Sequence, residues 1–247
     1  MANTLKRGSK GTEVKALQSA LAAKGYDVGS IDGIFGAKTE TALKAFQTSV
    51  GVLADGILGP WTSGKLGLTT TKKVVAITAG HNDKDPGAVN GDYKESIIAV
   101  EFRNEIAKRV RAAGYTVLTD GDGTRNEILS NAVKLAKEAD LAIEFHLNAS
   151  DNKTAKGVEA LALDKDKAIC QKLCKVTADV LNTTIRGADG GWKSQSSGQH
   201  SKLAFCSAGG IIMEAFFISN EDELKKYFAN REALFDAIAK VIIEHLK

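Results

Sequence analysis

Val74-Val75-Ala76-Ile77-Thr78-Ala79-Gly80-His81 is a run of β-branched and small apolar residues that ends on glycine and histidine. Val74 to Thr78 has the length and composition of a buried strand. The same logic extends downstream. Residues 95–113 place Ile98, Val100, Phe102, Ile106 and Val110 at helical apolar positions, and Gly114 is the expected stop. Tyr115 to Leu118 is a second strand, residues 126–139 a helix, and Leu141 to Phe145 a third strand. Val158 to Leu163 and Ile211 to Glu214 are further strands around a helix at 166–182. Asn220, with Glu223 three residues on, has the form of a capping box opening a C-terminal helical region. Strands alternating with helices predict an α/β domain, a mostly parallel sheet flanked by helices.

Upstream the pattern is helical. Val14, Leu17, Leu21 and Ala22 share one helix face, and Leu43, Phe46 and Val50 share another. A repeat is visible as well: Asp32-Gly33-Ile34-Phe35-Gly36 returns as Asp55-Gly56-Ile57-Leu58-Gly59. Each copy is an Asp-Gly turn leading into a helix start, the second with Pro60, a residue suited to a first helical turn. The stretch Gly67 to Lys73 has no periodicity. The predicted organisation is therefore a small all-α three-helix domain over residues 1–66, a linker at 67–73 and the α/β domain at 74–247. Residues 1–66 contain no histidine or cysteine, which argues against metal and thiol chemistry there and points to a binding module.

Composition narrows the partners. The chain has 247 residues, 43% hydrophobic and 26% charged, which is globular composition. A net charge of +3 is too weak to argue for nucleic acid, and no apolar run nears the ~18 residues of a membrane span. The small positive excess lies in residues 1–66, so an acidic polymer suits that part. The start, Met1 to Arg7, has no apolar core to follow its charges, so no signal peptide is expected. Three cysteines do not make a disulfide framework, and a reducing cytoplasm is expected. Cys170 and Cys174, one helical turn apart, read as an apolar face, and Cys206 as core.

The chemistry-bearing residues sit at strand ends. His81 follows the first strand, His146 ends the strand from Leu141, Glu214 ends the strand from Gly210, and Glu95 opens the first helix of the α/β region. In open α/β sheets these ends converge on one edge, where ligands bind. Two imidazoles and a carboxylate suffice for a catalytic zinc with one position left for water. A further carboxylate would take a proton from that water. Glu144 alternates onto the face of His146 and is either an orienting carboxylate or a rival base to Glu214. Asn148 and His200 are candidate substrate contacts, whereas His245 reads as structural.

Two resemblances follow from these words. Leu5-Lys6-Arg7-Gly8-Ser9-Lys10-Gly11, Val14 to Leu21, Tyr26, the Asp-Gly-Ile-Phe-Gly turn, Thr39 and Phe46-Gln47 resemble the peptidoglycan-binding domain of cell-wall hydrolases. Asp32 and Phe35 are there either glycan contacts or a cap and a core residue. Ala79-Gly80-His81-Asn82-Asp83-Lys84-Asp85-Pro86-Gly87-Ala88, Lys94-Glu95, Glu144 to Ala149 and Met213 to Asn220 are similar, in order, to the four motifs of zinc-dependent N-acetylmuramoyl-L-alanine amidases of the type-3 class. The resemblance implies Zn2+ held by His81, Glu95 and His146, and Glu214 as the catalytic base. Asp120 and Asn131 stand where that family often has arginines. The implied protein is a monomeric bacteriolytic hydrolase acting on peptidoglycan, with no nucleic-acid or membrane partner. It looks like a phage endolysin kept in the host cytoplasm until lysis. A zinc peptidase cutting within the stem peptide and a non-catalytic wall-binding protein are the alternatives.

Overall fold

The structure, a computed structural model, describes residues 5–68, 73–195 and 203–247. The chain divides into two compact units, residues 1–71 and 72–247.

The first unit holds α1 (Thr12–Ala23), α2 (Ala37–Ser49) and α3 (Pro60–Leu66). Val14, Leu17 and Leu21 of α1 meet Leu43 and Phe46 of α2 in a core that also takes Phe35 and Leu58, one apolar residue from each copy of the repeat. Phe35 is thus a core residue. The repeat is deeper than its turn. The buried Gln18 amide donates to Asp32 Oδ1 (3.0 Å), the Ile34 carbonyl (3.2 Å) and Thr39 Oγ1 (3.2 Å), and its oxygen accepts from Gly33 N (2.9 Å). Gln47 does the same with Asp55 Oδ1 (2.8 Å), the Ile57 carbonyl (3.0 Å), Thr62 Oγ1 (3.5 Å) and Gly56 N (2.9 Å). Asp32 and Asp55 also accept from the backbone two residues on, so each aspartate closes its own turn.

The second unit begins with β1 (Val74–Ala79), a hairpin of β2 (Val89–Asn90) and β3 (Tyr93–Lys94), α4 (Glu95–Ala112), β4 (Thr116–Leu118) and α5 (Leu129–Glu138). Then come β5 (Leu141–Asn148), β6 (Glu159–Ala162), α6 (Lys167–Leu181), β7 (Trp192–Ser194), α7 (Ala204–Ser207), β8 (Ile211–Phe217) and α8 (Glu221–His245). The six-stranded sheet has the order β4-β1-β5-β8-β6-β7, every pair parallel except β6 with β8. The expected mostly parallel sheet is present. The reversed β6 was outside what periodicity predicts.

Strand alternation sorts the sheet into two faces. Val75, Ile77, Ile143, Phe145, Leu147 and Met213 point into the larger core with α4, α6 and α8. Ala76, Ala142 and Ile212 pack instead on Ala132 and Ala136 of α5 and on Phe205 and Cys206 of α7. Thr78, Glu144, His146 and Glu214 continue this second face toward the strand ends, past the point where helices cover it. Phe102 of α4 stacks on Phe145 (5.2 Å) and Tyr227 (5.5 Å), which fixes the helix whose first residue is Glu95. Truncating Phe102 would cost about 3–5 kcal/mol and release that helix.

At α8 the capping box is half formed. Asn220 Oδ1 accepts from Asp222 N and Glu223 N. Glu223 does not return to Asn220; it accepts from Gly157 N (2.9 Å), Phe217 N (2.8 Å) and Thr183 Oγ1, tying two loops and the end of β8 to the helix start. The three cysteines are free and buried, as expected of core residues, with thiols pushed up by burial. No helix among the described residues is long and apolar enough to cross a membrane.

Candidate metal centre

After β1 the chain goes to β4 on one side and, by way of α5, returns to β5 on the other. Side chains at the C-terminal ends of β1 and β5 therefore meet at a switch point of the sheet, the usual ligand crevice of such folds. His81 lies two residues past β1, and His146 lies on β5. Glu95 reaches the same place because the β2–β3 hairpin turns the chain back, with Glu95 N donating to the Ala88 carbonyl (2.9 Å).

One atom of each residue lies within 4.8 Å of the others. Glu95 Oε1 is 3.1 Å from His81 Nε2 and 3.0 Å from His146 Nδ1. It also accepts from Leu147 N (3.0 Å), and Oε2 accepts from Ala88 N (2.9 Å). The far nitrogen of each imidazole meets another carboxylate: His81 Nδ1 is 3.0 Å from Asp85 Oδ2, and His146 Nε2 is 3.2 Å from Glu144 Oε1. Carboxylates so placed fix ring orientation and tautomer in metal sites. Both oxygens of Glu144 are engaged, since Thr78 Oγ1 donates to Oε2 (3.3 Å).

The backbone is shaped to this cluster. His81 has φ 64°, a left-handed conformation that costs a non-glycine residue energy. Asn126 compensates by donating to both the Ala79 and His81 carbonyls at 2.5 Å. Gly80 and Gly87 cannot be larger. A β-carbon at Gly80 would overlap the His146 ring, and one at Gly87 would stand 2.6 Å from both Glu95 Oε2 and His81 Cδ2.

Charges follow from these contacts. The Glu95 carboxyl is buried, which favours the neutral form, yet the two imidazoles hold it well below the usual carboxylate range. His146 rises despite burial because Glu144 and Glu95 flank it, and His81 rises mainly through Glu95. Glu214 pairs with His146 across β5 and β8, so the two share a face. Its Oε2 is sealed from solvent with no hydrogen-bond partner, and burial pushes the carboxyl up to about 7.

A cleft of about 190 Å³ opens beside the cluster, lined among others by His81, Asp120, Glu127, Leu129, Glu144 and His146. Asp120 accepts from Ala79 N and from the fully buried Arg103 of α4 (3.4 Å), and burial raises its carboxyl to about 6 despite that cation. An arginine is thus present near the position where the resemblance expected one, but it comes from α4. Asn131 is exposed, and its side chain donates to Glu127 (3.3 Å). Asn148 donates to Glu159 Oε1 (3.0 Å), His200 lies outside the described residues, and His245 is in the last turn of α8. Asp85, Asn126, Arg103 and Glu159 were not singled out as site residues from sequence. Asp85 alone carried a signal, four residues after His81 within the motif.

The match to known families agrees with this geometry. Residues 75–245 match the N-acetylmuramoyl-L-alanine amidase family, more than half of the chain. The chain belongs to that family. Residues 10–66 match the family described as "Putative peptidoglycan binding domain". Among solved structures, "the putative N-acetylmuramoyl-L-alanine amidase from Neisseria meningitidis" is 46% identical with a TM-score of 0.65, over 70% of this chain and 96% of that one. The catalytic domain of a Paenibacillus polymyxa amidase is 23% identical with a TM-score of 0.57, over 70% of this chain and 98% of that one, a likeness of fold. An N-acetylmuramoyl-L-alanine amidase of Bacillus licheniformis is 37% identical over 92 residues, 36% of this chain and 25% of that protein. The endolysin of Bacillus phage SPP1 is 29% identical over 157 residues, 61% of this chain and 57% of its own. The chain thus spans about a quarter of the first curated relative's length.

Proposed function

We propose that this amidase-family unit hydrolyses the amide joining the lactyl group of N-acetylmuramic acid to the L-alanine of the peptidoglycan stem, using zinc, and that residues 1–66 hold it on the wall. The observation that carries the reading is the pairing of the His81–Glu95–His146 cluster with an unpartnered Glu214 oxygen on the same face. Two imidazole nitrogens, one carboxylate oxygen and orienting carboxylates behind both rings are a donor set that fits zinc. Bound there, zinc would supply Lewis acidity, polarising the scissile carbonyl and acidifying a water.

The protein groups do the rest. His81, Glu95 and His146 hold the ion, with Asp85 and Glu144 orienting the two rings. Glu144 has both oxygens engaged, which favours Glu214 as the base. Glu214 Oε2, with a carboxyl poised at about 7, can accept the proton of the attacking water and return it to the leaving nitrogen of L-alanine. The unit supplies every one of these groups from a single chain, which suits a monomer. Tethering through the N-terminal unit would add about 10²–10⁴ in avidity on a polymeric substrate. The likeness to a phage endolysin supports a lytic enzyme retained inside the host until release.

Digestion of purified walls tests this. New L-alanine amino groups without new reducing sugar, abolished by a chelator and restored by zinc, are the expected result. Cuts within the stem peptide, or full activity in metal-free protein, would refute it.

A further inference from the structure

The centre has two flanks of opposite character. On the β4 side, the cleft is lined by Asp120 and Glu127 together with the apolar Leu129 and Ala132. On the β7 side, the sheet continues from Glu214 to Glu159, its register partner on β6, so both side chains stand on the same face. Glu159 Oε2 accepts from Arg186 Nε (2.7 Å) and from Lys193 Nζ (2.7 Å), while Oε1 accepts from Asn148. The Arg186 guanidinium also lies 4.7 Å over the Phe217 ring and donates to the Lys156 carbonyl (3.2 Å). Two cations are thus set on one buried carboxylate, leaving one positive charge in excess. Both side chains remain partly open, at 36% for Arg186 and 33% for Lys193.

The geometry points to Arg186 and Lys193, seated on Glu159 one strand beyond Glu214, as a carboxylate subsite that takes the free α-carboxylate of D-glutamate, the second residue of the stem peptide. This rests on the amidase reading above. The amide cut there has a neutral glycan arm and an acidic peptide arm. The β4 flank offers no free cation, since the buried Arg103 is balanced by Asp120 and Glu127 adds a negative charge, and it suits the neutral glycan, whereas the cationic β7 flank suits the peptide. The reach agrees. Neighbouring strands lie about 5 Å apart, and two residues of extended chain span at most about 7 Å. A peptide whose first residue leaves at Glu214 therefore brings its second to the Glu159 cluster. Glu159 keeps both cations in place, and the excess charge is what the substrate sees.

The test uses soluble muramyl tripeptides ending in lysinamide, identical except that the second residue is D-glutamate or D-isoglutamine, so that one carboxylate is the sole difference. The whole chain should prefer the acid by about two- to fivefold in kcat/KM, as suits an ion pair to a fixed, partly exposed cation. Lys193→Gln should bring that ratio close to one, and Lys193→Arg should keep it. A purely structural role for Lys193 would lower both rates together and leave the ratio intact, which overturns the proposal. Equal rates for the two substrates with the wild-type protein overturn it too while leaving the amidase standing. A preference that appears only when meso-diaminopimelate replaces lysinamide would assign the charge to the third residue and overturn the D-glutamate assignment. Release of L-alanine amino groups from neither substrate would instead fail the amidase reading, and this one with it.

Discussion

Both units bury polar side chains, and they treat them in opposite ways. In the first unit, Gln18 and Gln47 are enclosed and each spends its amide on three acceptors and one donor, twice over in the same pattern. In the second, Glu95 is shared between two imidazoles and Glu214 leaves a sealed oxygen with nothing to bond. A satisfied buried network specifies a fold, whereas an unsatisfied one stores free energy that a ligand or a reaction can release. The contrast marks which unit scaffolds and which reacts.

The sharpest way to break that contrast is Glu214→Gln. Steady-state hydrolysis of soluble muropeptides should fall by about 10²–10⁴, the usual share of a general base, with thermal stability held or raised. A variant that still hydrolyses at the wild-type rate would return Glu144 as the base. The next effect is on pH. A carboxyl raised from its ordinary 4.5 to about 7 binds more protons folded than unfolded. Stability of the metal-free protein should therefore decline as pH rises from about 4.5 to about 7, by up to about 3 kcal/mol from this group. Chemical denaturation across that range in chelator should show the decline, and Glu214→Gln should flatten it. Asp120, raised to about 6, adds a slope of the same sign that survives in the variant.

Smaller changes sharpen the comparison. Asp85→Asn leaves the His81 ring in place but weakens its orienting partner, and zinc affinity by chelator competition should drop about 10–100-fold. Gln47→Ala strips the second clamp and leaves the buried Gly56 N without its acceptor. The first unit should lose about 1–3 kcal/mol in thermal melts, with no change in kcat on soluble substrate. Equal loss of catalysis would show that the units do not divide the labour in this way.

What could be read from the amino acids follows the same physics. Strands such as Val74–Ala79 and Leu141–Asn148 are buried on both faces, so their apolar runs were plain and led to the histidines near their C-terminal ends, although β5 continues two residues past His146. The Asp-Gly repeat marked the turns of the first unit, but not the glutamines 14 and 8 residues upstream of Asp32 and Asp55 that complete them. The two- and three-residue strands β2, β3 and β7 lack the apolar run that marked the equally short β4, so nothing registered them. Strand direction leaves no trace in alternation either, so the reversal of β6 was hidden, and with it the placing of Glu159 beside Glu214. Arg103 was illegible for another reason. A fully buried arginine at an apolar-looking helix position is explained by Asp120, the Gly123 carbonyl and Asn126, which a distant loop supplies.

His81, Glu95 and His146 come from separate stretches, so a cation shared among them would staple the 81–95 and 95–146 loops much as a covalent crosslink does. Occupancy would then govern how long the folded protein survives proteases. Loss of the ion would then end activity and expose the chain to digestion in one event.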